Sequence, residues 1–183
     1  MLSDRKDMEV FAVKKLIAFQ GLSQHDESVS EKYRSSACGP VTAAAILQHH
    51  EGMELGIDQL YRLLGSTPIG LFTWRLIRNF HKVAGKRYEV KKIRSMEEVK
   101  KELLAGHPLA MKFDRYFTFH WFSKPLYSYH WVPLIGFKQE ADDLILYIHD
   151  NGQKNRPSKM RTVSYQENRK VLTFVKITPR GRQ

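Results

Sequence analysis

Cysteine is almost missing from this chain: Cys38 is the only one in 183 residues. A single thiol excludes an intramolecular disulfide and a cysteine-built zinc cluster within the chain, and it fits a reducing compartment. Long apolar runs are missing too. No stretch reaches the roughly 18 uninterrupted apolar residues that a membrane-spanning helix needs, and Met1 to Glu9 lack the apolar core of a signal peptide. The chain as it stands is therefore expected to be soluble and cytoplasmic, or secreted only if a leader has been removed. Internal repeats, low-complexity tracts, linkers, zinc-finger spacings and glycine-rich phosphate loops are all absent. Neither a cofactor nor a metal is expected.

Acidic residues are scarce relative to basic ones, 19 against 30, which leaves a formal net charge of +11. The excess is concentrated at the C-terminal end. Lys154, Arg156, Lys159, Arg161, Arg169, Lys170, Lys176, Arg180 and Arg182 face only Glu167 there. They alternate with Val163, Tyr165, Val171, Phe174, Val175 and Ile177, as on the solvent face of late strands and a short helix. A solvated basic face is the first reading. An anionic partner such as a cell-wall polymer, lipid or acidic peptide is the second, and nucleic acid is not expected.

What is present is the material of one folded domain. Hydrophobic residues make up 42% of the chain, enough for a substantial core, and a single domain over 1–183 is expected. Residues 10–19 read as an early strand or its approach, and residues 20–37 as polar and irregular. Helices are expected from Pro40 to about His50, over Ile57 to Leu64, from about Leu71 to Val83, and over about 96–104 behind the capping box Ser95-Met96-Glu97-Glu98. Beyond Gly106 the pattern changes to short strand-like runs at 109–113, 131–137, 144–148 and 172–177. Helices over about 20–105 followed by a sheet over about 106–178 predict an α+β domain, with a helical lobe packed on an antiparallel sheet and a cleft between them.

Cys38 opens the run Cys38-Gly39-Pro40-Val41-Thr42-Ala43-Ala44-Ala45-Ile46-Leu47, a small-residue turn entering an apolar helix. A lone cysteine is often just a small buried hydrophobe. A thiol at a helix N-terminus, however, faces the positive end of the dipole and unpaired N–H groups, which favour a thiolate and can hold an oxyanion. Two further residues bear on the choice. His130 starts one strand-like run and Asp150 ends the next, and a hairpin through residues 138–143 brings both to the same end of the sheet. A base beside a thiol, and a carboxylate orienting the base, are the parts of nucleophilic catalysis.

Three segments carry a resemblance. They are Ser23-Gln24-His25-Asp26 with Ser36-Ala37-Cys38-Gly39-Pro40, then His130 through Phe137, then Ile148-His149-Asp150-Asn151-Gly152. Together they resemble the papain-like cysteine peptidases of the group that includes the bacteriocin-processing, double-glycine leader peptidases and their stand-alone bacterial relatives. The resemblance runs from about residue 16 to 177. It implies a papain-like fold, a peptide or protein substrate, and these roles: Cys38 as nucleophile, His130 as base, Asp150 as orienting carboxylate and Gln24 as oxyanion donor. Many relatives carry Asp-Pro where this chain has Asp150-Asn151, so Asn151 competes with Asp150. Gln20 competes with Gln24. The same parts also serve acyl transfer to an amine or thiol, or a silent cleft that binds peptide or anionic polymer.

Two features remain. Tyr116, Phe117, Phe119, Trp121, Phe122, Tyr127, Tyr129 and Trp131 surround His120 and His130, as substrate-groove lining or as core. His120 is the weaker base, since no apolar run follows it directly. His49-His50 closes the first long helix, where positive charge suits the dipole and the carboxylates needed for a metal site are poorly spaced.

Overall fold

The computed structural model describes residues 14–52, 54–115, 129–154 and 156–181. Its elements are β1 (Lys14–Leu16), α1 (Glu31–Arg34), α2 (Cys38–Glu51), α3 (Ile57–Leu64), α4 (Thr73–Asn79), α5 (His81–Ala84), β2 (Tyr88–Ile93), α6 (Met96–Leu104), β3 (Leu109–Asp114), β4 (Tyr129–Gln139), β5 (Leu144–Asp150), β6 (Lys159–Ser164), α7 (Tyr165–Asn168) and β7 (Leu172–Pro179). All strand pairings are antiparallel. The sheet runs β2-β7-β3-β4-β5-β6, and β1 joins it on β4. The architecture is α+β, as expected.

The long strand β4 organises this sheet. Its first half pairs with β3, from Asp114↔Tyr129 to Leu109↔Leu134, and its second half pairs with β1, from Leu16↔Gly136 to Lys14↔Lys138. On its other side β5 runs antiparallel, with a bulge between Leu134 and Gly136. Alternation along β3 and β4 divides the core. Ala110 and Trp131 join one apolar cluster with Val41, Ile46 and Leu47 of α2, Leu60 and Leu64 of α3, Leu71 and Leu76. Met111, Phe113, Val132 and Leu134 join a second with Val99 and Leu103 of α6. The helical lobe thus covers one face, and α6 covers part of the other.

Local chemistry explains the ends of several helices. Ser95 accepts from Glu98 N–H at 3.1 Å, the expected cap of α6. Gly52 ends α2 at φ 64°, in the left-handed region that glycine adopts without strain. Three expectations need correction. The helix read from about Leu71 to Val83 is two, α4 and α5, meeting at the buried Phe80, where the His81 ring takes up the Arg78 carbonyl at 2.7 Å. The segment 20–37 contains α1. The helical part is interrupted by β2, which forms an edge of the sheet against β7. Its alternation is blurred by Lys91 and Lys92, both exposed on that edge.

Candidate active site

Cys38 is the first residue of α2, and Gly39 and Pro40 follow it into the core. The crowding there is severe. A Cβ on Gly39 would lie 2.6 Å from Leu71 Cβ, so only glycine lets the helix start pass under the loop before α4. That loop is anchored from the sheet: Leu71 O accepts from Tyr129 Oη–H at 2.9 Å and from Trp131 Nε1–H at 2.7 Å. The nucleophile candidate therefore lies where the helical lobe is bolted to β4.

His130, near the start of β4, meets Cys38 from the sheet side, and the two side chains are hydrogen-bonded. Its Nε2 lies 3.5 Å from Asp150 Oδ1 at the end of β5, an ion-pair distance. Antiparallel pairing of β4 with β5 brings these two strand ends together. Burial favours the neutral thiol. The His130 hydrogen bond and charge, with backbone hydrogen bonds from Trp131 and Gly39, outweigh it and lower the Cys38 pKa. Burial likewise disfavours the imidazolium, yet Asp150 and Cys38 together push His130 up to about 9. Both shifts favour a proton on the imidazole and charge on the sulfur.

Asp150 is 1% exposed. Its Oδ2 accepts from Arg161 Nε–H on β6 at 2.7 Å, with Arg156 Nη2 farther off at 3.9 Å. Neither arginine was singled out by sequence reading beyond its place in the basic third. The signal that could have found Arg161 is a hairpin register pairing β5 with β6. Asn151, the alternative to Asp150, has its Nδ2 within hydrogen-bond distance of three acceptors, Cys38 O at 3.0 Å, Thr42 Oγ1 at 3.0 Å and Trp131 O at 2.8 Å, which share its two hydrogens.

Gln24 is buried, and its backbone N–H donates to Asn151 O at 2.9 Å, tying it to the same cluster. Its Nε2 donates to Arg34 O at 3.1 Å, and an amide nitrogen carries a second hydrogen. Gln20 is exposed and lines a separate pocket with Leu22, Asp26 and Gln48. His120 and the aromatic residues from Tyr116 to Tyr127 lie outside the described residues. Of that segment, Trp131 is fully buried and Tyr129 half-buried, both in the first core cluster or against it.

His49 and His50 face backbone carbonyls, Gly106 O and Ile177 O, each at 3.2 Å. Among the described residues no group of three or more His, Cys, Asp or Glu side chains is arranged to hold a metal, and no helix is long and apolar enough to cross a membrane.

Comparison with known proteins bears on this arrangement. The model of the Peptidase_C39 like family matches residues 16–177. The fold is similar to that of a Bacillus anthracis chain assigned to the C39-like peptidases. The two share 14% identity at a TM-score of 0.64, over 93% of this chain and 100% of that one. It is also similar to the peptidase domain of Streptococcus ComA, a bi-functional ABC transporter involved in a quorum sensing pathway. Identity there is 16% and the TM-score 0.53, over 91% of this chain and 98% of that one. No protein in a search of curated sequences matches the chain. At these identities the structural likeness establishes the fold, here the papain-like α+β arrangement.

Proposed function

From the premise that the chain belongs to the Peptidase_C39 like family, we propose that it is an active cysteine peptidase that hydrolyses peptide bonds through Cys38, His130 and Asp150. The observation that carries this reading is the hydrogen-bonded Cys38–His130 pair, with the thiol pKa lowered and the imidazole pKa raised. A structural cysteine packed in the core would show the effect of burial alone, which raises a thiol's pKa.

In the proposed reaction, the Cys38 thiolate adds to the scissile carbonyl carbon. The resulting oxyanion is held by the Cys38 N–H at the head of α2 and by the second Nε2 hydrogen of Gln24. Protonated His130 delivers its proton to the leaving amine as the C–N bond breaks, which gives an acyl-enzyme on sulfur. Neutral His130 then takes a proton from water, whose oxygen attacks the acyl carbon. Collapse of that second intermediate breaks the C–S bond, releasing the acid and restoring the thiolate and imidazolium. Asp150 keeps the ring oriented toward the sulfur throughout.

The test is the pH dependence of Cys38 alkylation by iodoacetamide, read by intact mass, in the wild type and in His130→Ala. Alkylation should persist well below the pH of about 8.5 at which a free thiol ionises and should lose that acid reactivity in the variant. Peptide-library cleavage would then define the substrate. An ordinary thiol in both proteins would overturn the peptidase reading and leave a binding cleft.

A further inference from the structure

The orienting carboxylate is itself held from behind. Asp150 uses Oδ1 toward His130 Nε2 at 3.5 Å and Oδ2 toward Arg161 Nε at 2.7 Å, so its two oxygens face two cations on neighbouring strands. Arg161 is placed by the sheet: β5 and β6 pair in register, with Ile148↔Arg161 and Asp150↔Lys159. From that position its guanidinium reaches diagonally to the carboxylate and is largely covered, its side chain 25% exposed. Arg156 reaches the same oxygen only at 3.9 Å and is 41% exposed.

We propose that Arg161 is a positioning residue, which fixes the rotation of the Asp150 carboxylate and keeps it ionised, so that Oδ1 stays opposite His130. The proposal rests on the peptidase reading above. Two physical points carry it. The terminal torsion of an aspartate is broad, so a 3.5 Å contact to a ring constrains it weakly, whereas a charge-assisted hydrogen bond of 2.7 Å on the other oxygen constrains it more tightly. A carboxylate 1% exposed also needs a cation to remain charged. Arg161 supplies one that does not depend on the state of His130. Thiolate, imidazolium, carboxylate and guanidinium then alternate in sign across α2, β4, β5 and β6. Among the described residues, the groups around Asp150 are His130 from β4, Arg161 and Asp150's own register partner Lys159 from β6, Arg156 from the loop before β6, His149 beside it on β5, and Cys38 beyond His130.

The consequence is a pH signature. Without Arg161 the buried carboxylate takes up a proton at higher pH as acid is added. The imidazolium then loses its counter-ion and the thiolate loses its partner. The acid limb of Cys38 reactivity therefore moves toward neutral pH, by about 1 unit for the loss of one close cation. A residue needed only for folding would change the amount of reactive protein and leave the limb in place.

The experiment is the iodoacetamide rate of the full chain as a function of pH in wild type, Arg161→Gln, Arg161→Lys and Arg156→Gln, each checked for a folded circular-dichroism spectrum. The limb should rise by about 1 unit in Arg161→Gln, with the rate at pH values below the wild-type limb about tenfold lower, and stay within about 0.3 unit of wild type in Arg161→Lys and Arg156→Gln. Arg161→Met, closer in volume, serves in the same role if Arg161→Gln does not fold. A low wild-type limb that stays unmoved in Arg161→Gln or Arg161→Met overturns the proposal and leaves the peptidase reading standing. A wild-type limb at the position of a free thiol overturns both.

Discussion

Asn151 Nδ2 lies 3.0 Å from the carbonyl oxygen of Cys38, which joins the end of β5 to the first turn of α2 across the two lobes. The same nitrogen reaches Thr42 Oγ1 and the carbonyl of Trp131. One side chain, fully buried, thus sets the distance between the helix that carries the thiol and the strand that carries the imidazole.

Asn151→Ala should therefore cost more stability than an ordinary core truncation of its size. It strips hydrogen bonds from buried acceptors on both lobes, and each orphaned acceptor costs about 1–3 kcal/mol. Urea denaturation should show a loss of about 2–4 kcal/mol with the slope unchanged. A loss under about 1 kcal/mol would mean that water or a shifted backbone replaces the amide without strain.

Asp150→Asn should act on protonation instead. In the intact protein burial works against a charged His130, and Asp150 and Cys38 together overcome it to hold the ring at about 9. An amide at position 150 removes the anion and leaves the burial effect, so the sign is a fall from about 9 toward the ordinary imidazole range or below it. NMR titration of the His130 ring reads this directly, without a substrate. A ring that still titrates near 9 in the variant would show that Cys38 alone sustains the imidazolium.

The candidate site was more legible in the sequence than the helical lobe around it. Cys38-Gly39-Pro40 marks a helix start by chemistry local to a few residues, and the apolar run after His130 marks a strand, so both endpoints are visible without the fold. The meeting of His130 with Asp150 required only that β4 and β5 form a hairpin, which a short polar connection signals, whereas that of Cys38 with His130 required α2 to pack on β4 through the cluster that includes Trp131. Arg161 was hidden because its role depends on the register of β6 against β5, and in the sequence it is one of nine cations in a basic tail. The strand β2 was hidden for a related reason. Its middle, Lys91 and Lys92, is polar on both faces at a sheet edge, so the period of two that identifies a strand fades there. The break between α4 and α5 falls at Phe80, a buried core residue, and no Gly or Pro marks it in the sequence.

Gly136→Ala probes how β1 is attached. A Cβ at this position would sit 2.2 Å from Lys15 O and 3.0 Å from Leu16 Cα. Both atoms are backbone of the paired strand, which cannot step aside without breaking Leu16↔Gly136 and the Ile17 N–H bond to Ile135 O at 2.8 Å. The substitution should destabilise by about 2–3 kcal/mol and speed amide hydrogen exchange at residues 15–17. Gly181→Ala, beyond the end of β7, where an added Cβ meets nothing within 4 Å, is the control and should stay within about 0.5 kcal/mol. Equal effects of the two would show that β1 contributes little to the sheet.

Gln24 and Gln20 separate by what each can reach. Gln24 is buried and joined through its backbone to Asn151, whose side chain bonds the Cys38 carbonyl. One of its amide hydrogens is used on Arg34 O, and the proposed oxyanion role would use the other. Loss of an oxyanion donor typically lowers kcat by about 100- to 1,000-fold. Gln24→Ala should thus depress hydrolysis of a library-derived peptide by that factor, while the rate of Cys38 alkylation, a displacement that passes through no oxyanion, stays near wild type. Gln20, exposed in a different pocket, should tolerate alanine in both assays. If Gln24→Ala slows alkylation and hydrolysis equally, the side chain supports the Cys38–His130 pair rather than the tetrahedral intermediate, and the oxyanion must be held by the N–H groups at the head of α2 alone.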